Sequence, residues 1–273
     1  MPVHPRIAVV GYGAITREII KVMGARGDLS RLAAVLVKPT QLDARRAEAA
    51  GRFAVTGDAA ALVAARPDIV LECAGHGGVT AHGAAILRAG LDLVVCSVGA
   101  LADAATTAAL RAAAAAGGAR ILVPSGAVAG IDGLIAARTA GLRSVTYTSV
   151  KAPHAWTGTP AERALDLGAV TAATPFFEGT AREAAHGYPQ NANVGATVAF
   201  AGLGLDRTRV KLVADPAATG PLGIIEADGA FGRFRFEILA YAAPDNPKTS
   251  LLTAHSMLAA ADHATTFALP DKT

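Results

Sequence analysis

Apolar positions in the first half of the chain fall into short runs, separated by segments in which they recur at helical spacing. Over residues 6–20, RIAVVGYGAITREII, Ile7, Val9 and Val10 suit a strand buried on both faces, and Ile15, Ile19 and Ile20 give the next segment an apolar helical stripe. The alternation continues with strands expected over 32–37, near 53–55, and over 69–73, 93–96 and 120–123. Helices are expected over 41–50, 58–65, 79–89 and 103–116. Strands that alternate with helices in this way predict an α/β fold with a doubly wound parallel sheet.

From 124–127 onward the pattern changes. A helix is expected over 131–140, followed by a strand over 142–150 whose polar Ser144, Thr146 and Thr148 alternate with apolar neighbours, as in a sheet with one wet face. Thr159-Pro160-Ala161-Glu162 and Thr180-Ala181-Arg182-Glu183 have the spacing of helix starts, in which a threonine and a glutamate three residues later satisfy each other's backbone N–H groups. A further helical segment covers 193–204, strands cover 210–214, 224–227 and 231–240, and a polar turn at 245–250 precedes a final helix over 251–261. This half predicts a mixed sheet covered by helices. The expected division is 1–124 with 245–273 as a dinucleotide-binding domain, and 125–244 as a second domain.

The turns carry the candidate chemistry. Gly11 and Gly13 stand between the first strand and helix, where small residues let free N–H groups reach a pyrophosphate, and Ala14 and Ile15 follow them. Thr16 replaces the usual third glycine, which predicts slightly wider packing of helix on strand, and an ordinary strand-to-helix turn stays open as an alternative. Ala74, Gly75 and His76 lie in the C-terminal turn of the 69–73 strand, where ligands of open α/β sheets gather; Ser97 and Val98 follow the next strand. His76 is either a nicotinamide or substrate contact or an ordinary loop histidine. After the second strand, where an acid would bind the ribose of NAD, the chain reads Val37-Lys38-Pro39, so NADP is admissible; the alternative is that Lys38 is only a solvated charge.

With 273 residues, two domains of ordinary size are expected. No apolar run approaches the roughly 18 residues that cross a bilayer, so no membrane partner is expected. The chain enters its first strand without the regions of a secretion signal, so a cytoplasmic location is expected. The net charge of +3 comes from scattered basic residues, which suits a small anionic ligand and implies no nucleic acid. Cys73 and Cys96 each end an apolar run, so buried thiols are expected rather than a disulfide, and no His/Cys cluster has metal-ligand spacing.

Gly11-Tyr12-Gly13-Ala14-Ile15, Glu72-Cys73-Ala74-Gly75-His76, Ser97-Val98-Gly99-Ala100-Leu101, Phe177-Glu178-Gly179-Thr180-Ala181-Arg182-Glu183, Tyr188-Pro189-Gln190-Asn191-Ala192-Asn193 and Asn246-Pro247-Lys248-Thr249-Ser250 together make a specific set. A chain that carries them resembles the L-aspartate dehydrogenase family over nearly its whole length. The resemblance implies a Rossmann-type domain, a mixed α/β substrate and dimerisation domain, a homodimer, and NAD(P)-linked interconversion of L-aspartate and iminosuccinate or oxaloacetate. It matches Ala127 and Asn193 to cofactor positions, with Asn191, Asn193, Lys248 and Thr249 as the substrate-binding set. It also exposes a departure. Aligned without gaps between Ala214-Asp215-Pro216 and Gly229-Ala230-Phe231-Gly232, the family's catalytic histidine falls on Gly223, which has no side chain to move a proton. His154 is the first candidate replacement and Lys248 the second.

Three readings follow. The chain is an NAD(P)-dependent oxidoreductase acting on a small dicarboxylate amine or imine, an imine or carbonyl reductase with a changed substrate, or a non-catalytic NAD(P)-binding homologue.

Overall fold

The computed structural model describes residues 4–243, 246–263 and 265–270, without the side chains of 190, 242–243 and 246–249. The chain divides into two compact units. The first holds the described residues up to Pro124 together with Thr253–Leu269, and the second holds Ser125–Leu252 and Pro270. The chain thus re-enters the first unit at Thr253, whereas the sequence pattern places that boundary at residue 245.

The first unit runs β1 (Ile7–Val10), α1 (Ala14–Arg26), β2 (Leu32–Leu36), α2 (Leu42–Ala49), β3 (Ala54–Thr56), α3 (Ala59–Ala64), β4 (Ile69–Glu72), α4 (His76–Arg88), β5 (Asp92–Val95), α5 (Ala104–Gly117) and β6 (Ile121–Pro124). All four residues of β1 and of β6 are buried, as strands covered on both faces require. The second unit runs α6 (Ile131–Ala140), β7 (Leu142–Lys151), α7 (Ala161–Ala164), β8 (Thr174–Thr180), α8 (Ala181–Gly187), α9 (Asn193–Ala201), β9 (Arg209–Ala214), β10 (Leu222–Gly229), β11 (Gly232–Leu239), β12 (Ala242–Ala243) and β13 (Asn246–Ser250). Helix α10 (Leu251–His263) then leads to β14 (Thr266–Ala268).

The sheet of the first unit has the order β14-β6-β5-β4-β1-β2-β3. Every pairing is parallel except the edge pairing of β14 with β6. This is the doubly wound Rossmann arrangement, with the strand order reversing between β1 and β4. Helix α10 closes its core: Ala254, Met257, Leu258 and Ala261 pack in the same buried cluster as Ile19 and Met23. An ion-pair cluster fixes the seam. The Asp262 carboxylate, 2% exposed, accepts from Arg31 at 2.5 Å and Arg26 at 2.8 Å. Burial acts to raise the Asp262 carboxyl, but the two guanidiniums outweigh it and hold the group below its ordinary value.

The sheet of the second unit has the order β11-β10-β7-β9-β8, with β7 and β9 parallel and the other pairs antiparallel. The expected alternation in β7 is present. Val145, Tyr147 and Ser149 are buried, while Ser144, Thr146 and Thr148 are exposed or half-buried. Helices α6 and α9 pack on β7, and Val150, Val213 and Ile224 form a smaller cluster of their own.

Four strands escaped the sequence pattern, the two-residue β12 among them. β8 contains Pro175 and an irregular register between Pro175 and Phe177, so it shows no period of two. β13 occupies what reads as a polar turn, and β14 is a three-residue edge strand. At Thr180 the expected reciprocal cap is present, whereas Thr159 introduces only a single turn, α7, in which the Thr159 hydroxyl accepts from the N–H of Ala161 and Glu162 accepts from the N–H of Gly158.

Candidate active site

In the first unit the candidate residues sit where β1 and β4 hand over to helices. Gly11 has φ +98°, and a Cβ there would lie 2.8 Å from the Ala74 Cα and the Cys73 carbonyl oxygen. Only glycine lets the first turn press against the fourth-strand turn in this way. Gly13 caps α1 without any side-chain hydrogen bond, and a Cβ on it would meet nothing within 4 Å. Gly75, at φ +85°, begins α4 with no side-chain cap either. In contrast, α3 and α5 of the same unit are capped, by Asp58 onto the N–H of Ala61 and by Asp103 onto the N–H of Thr106. Both helices that start at the touching turns thus lack a side-chain N-cap, as does α2 at Gln41, and helix starts of that kind attract an anion. Thr16 is fully buried and donates its hydroxyl to the Gly11 carbonyl at 3.0 Å, so it is satisfied inside the turn.

Glu72 holds the adjoining loops in place. At 1% exposure it accepts from the N–H of Ala74 at 2.7 Å, the N–H of Ser97 at 2.9 Å and the Ser97 hydroxyl at 3.0 Å. Burial pushes its carboxyl up, against the pull of those donors. The Ser97 hydroxyl is thus engaged by Glu72, and Val98 is buried in the turn that follows. His76 is the first, half-buried residue of α4, rather than part of a loop. Cys73 and Cys96 are free thiols. A mutual hydrogen bond and burial raise Cys73 well above its ordinary value, which leaves it a poor nucleophile.

Beyond β2, Lys38 is exposed and no acidic residue occupies 37–39. Arg45 lies over the Tyr12 ring, 4.9 Å from its centre, and pairs with Glu48 at 2.5 Å. The Tyr12 hydroxyl also bonds Glu48.

The second unit gathers a separate cluster. Gly223, on β10, is paired with Ser149 of β7 and Ile238 of β11. Its φ is outside the left-handed region, and a Cβ there would lie 3.4 Å from Val128 Cγ1 and 3.5 Å from the Tyr147 hydroxyl. Val128 belongs to the segment that also carries half-buried Ala127. Tyr147 is 4% exposed and its hydroxyl hydrogen-bonds Ser149; burial pushes it up to about 12, with Ser149 acting in the opposite direction. Two residues further along the same face of β7, Lys151 donates to Asn191 Oδ1 at 2.6 Å and lies 5.0 Å from the centre of the Trp156 ring. Asn193 opens α9.

His154 is exposed on a short turn after β7. Lys248 and Thr249 fall within β13, and their side chains lie outside the described residues. Tyr147, Ser149 and Lys151 were not among the expected site residues. The signal was present: at period two they continue the covered face from Val145, and polar side chains on a covered face need partners. Among the described residues, no three His, Cys, Asp or Glu side chains stand together as a metal site, and no helix is long and apolar enough to cross a membrane.

A doubly wound sheet with uncapped helix starts at its first and fourth strands defines a dinucleotide-binding protein of the Rossmann class. A family model described as the NAD-binding domain of homoserine dehydrogenase matches residues 11–124, and one described as the C-terminal part of aspartate dehydrogenase matches 132–264. The L-aspartate dehydrogenase of Ruegeria pomeroyi is 46% identical over 255 residues, covering 93% of this chain and 90% of that protein. Its counterpart in Cupriavidus taiwanensis is 44% identical over 254 residues, covering 93% and 95%. The crystal structure of aspartate dehydrogenase from Thermotoga maritima, 22% identical, shares the fold with a TM-score of 0.69 over 93% of this chain and 94% of that one. The chain belongs to the L-aspartate dehydrogenase family, and is an NAD(P)-dependent oxidoreductase of the amino-acid dehydrogenase type.

Proposed function

We propose that the protein interconverts a small dicarboxylate amine and its imine, of the L-aspartate and iminosuccinate type. The observation that carries this reading is the contact at Gly11 and Ala74 of the two turns that lead into α1 and α4, in a chain more than 40% identical to proteins named for that substrate. The residues present fit a dinucleotide. The amides of α1 offer hydrogen bonds to a pyrophosphate, and the space beside Gly13 lets it approach. When bound, the nicotinamide supplies the hydride acceptor or donor.

Gly11, Gly13, Ala14, Ile15, Ala74, Gly75 and His76 line the cofactor's route in the first unit. NADP is accepted, because Lys38 stands where an acid would repel the 2′-phosphate. Asn191, held by Lys151, and Asn193 present polar groups to the substrate, with Lys248 and Thr249 as its carboxylate clamp. The homodimer expected of the family finds support in the β11 edge and its flanks, where Phe231, Phe236, Leu239 and Tyr241 are all exposed. The setting is the cytoplasm.

Gly223 takes the place of the family's histidine, so proton transfer differs from the family's. A changed substrate that fills this space remains the second reading, favoured by the half-exposed Gly223 itself. The test is L-aspartate-dependent reduction of NAD⁺ and NADP⁺. Turnover of aspartate above other amino acids supports the reading, and cofactor binding without turnover of any dicarboxylate refutes it.

A further inference from the structure

Resting on the aspartate-type reading, we infer that the Tyr147 hydroxyl moves the proton at the position vacated by the histidine. A Cβ at Gly223 would be 3.5 Å from that hydroxyl, so the two positions serve the same space. Gly223, beside the buried phenol, is itself half-buried, a Cβ there would also lie 3.4 Å from Val128 Cγ1, and Gly195 lies against the Tyr147 ring. Ser149, hydrogen-bonded to the phenol, orients it.

The step concerns the C–N centre, before hydride transfer in the reductive direction and after it in the oxidative one. In the reductive direction Tyr147 donates its proton to the hydroxyl of the carbinolamine formed from an oxo acid and ammonia. The C–O bond breaks, water leaves, the nitrogen lone pair closes C=N⁺, and tyrosinate regains a proton from solvent. In reverse, tyrosinate takes a proton from the water that attacks the iminium carbon.

The environment makes the phenol an acid that holds its proton at neutral pH. Among the described residues, no charged group faces it. On β9, Arg209 and Lys211 occupy the alternate positions and reach toward Glu178. On β10, Glu226 and Asp228 likewise face away, toward Arg235 and Arg143. On α6, Asp132 is exposed and Arg138 donates to the Phe200 carbonyl, α9 carries no charge, and Lys151 on β7 itself is engaged by Asn191. Deamination therefore needs a base that ionises only at high pH, since burial holds the phenol near 12.

The test compares parent, Tyr147→Phe and the double variant Tyr147→Phe/Gly223→His, with thermal melts and calorimetric binding of cofactor as controls. In the parent, kcat for aspartate oxidation should rise about tenfold per pH unit without levelling below pH 10. Tyr147→Phe should lose about 10²-fold in kcat and this slope, while KM and cofactor Kd change less than about threefold. The double variant should regain at least tenfold and level off near neutral pH, where imidazole titrates. Activity of Tyr147→Phe within threefold of the parent, or an unchanged slope, overturns the role of Tyr147 and leaves the substrate reading standing. A parent that binds cofactor but turns over no dicarboxylate overturns both. Should Tyr147→Phe not fold, Gly223→His in the parent decides: a slope that still rises to pH 10 overturns the role, and a plateau near neutral pH with higher activity supports it.

Discussion

Gly11 and Gly13 are two residues apart in one turn, yet the structure assigns them different jobs, and substitution separates these. At Gly11 an added methyl would meet the Ala74 Cα and the Cys73 carbonyl at 2.8 Å, in a backbone with φ +98°. Left-handed strain alone is about 1–2 kcal/mol, and the backbone clash adds to it, so Gly11→Ala should lower stability by about 3 kcal/mol or more. At Gly13 nothing stands within 4 Å, and φ is −89°. Gly13→Val therefore costs only the poorer helix cap, about 0.5–1 kcal/mol, or about 2–4 °C in Tm. Its side chain would instead occupy the room through which the pyrophosphate reaches the α1 amides, and a loss of about 100-fold in cofactor Kd, some 2.7 kcal/mol, is expected. The assay is a thermal melt paired with calorimetric titration of NAD⁺ and NADP⁺ for both variants. A Gly13→Val protein that keeps its melting temperature and binds cofactor as tightly as the parent would refute the placement of the site.

Other outcomes follow from the same structure. Asp262→Asn should destabilise the protein by about 2 kcal/mol at pH 7, less than the 3–5 of a fully buried pair because Arg26 is 41% exposed. Since the folded-state carboxyl is depressed, that contribution is present above the unfolded value of about 3.9 and disappears as pH falls below it. Melts of parent and variant should accordingly converge toward pH 3, and a constant gap would contradict the ion-pair account. For the cofactor, kcat/KM with NADPH should lie within a hundredfold of that with NADH; a larger preference for NADH would show that Lys38 leaves the 2′-phosphate unwelcome. Thr180→Ala removes the reciprocal cap with Glu183 and should cost about 1 kcal/mol, read by denaturant melts, with no effect on cofactor Kd.

What was legible in the sequence was what local rules govern. The apolar run of β1, its glycines, the parallel order of strand and helix, and the cap at Thr180 each depend on residues within one turn of each other. The helix at α4 begins earlier than its apolar spacing suggests, because Gly75 takes a positive φ and releases His76 into the first turn. The Tyr147 cluster depends on something periodicity alone does not carry, namely the register that sets Gly223 against Ser149 and leaves the phenol of Tyr147 diagonal to it. β8 and β13 hold their places through pairing with β9 and β12 rather than through their own pattern. Glu72 read only as one letter of a motif, and its donors at Ala74, Gly75 and Ser97 appear only once β4 and β5 lie side by side.

The central claim is tested most directly by NAD(P)H oxidation across a panel of oxo acids and ketones, each with ammonium. Oxaloacetate should be turned over with a kcat/KM at least tenfold above any monocarboxylic oxo acid or simple ketone, because the proposed clamp of Lys248 and Thr249 would hold a second carboxylate. Preference for a monocarboxylate or an uncharged ketone, in a protein that binds NAD(P)H normally, would contradict the account.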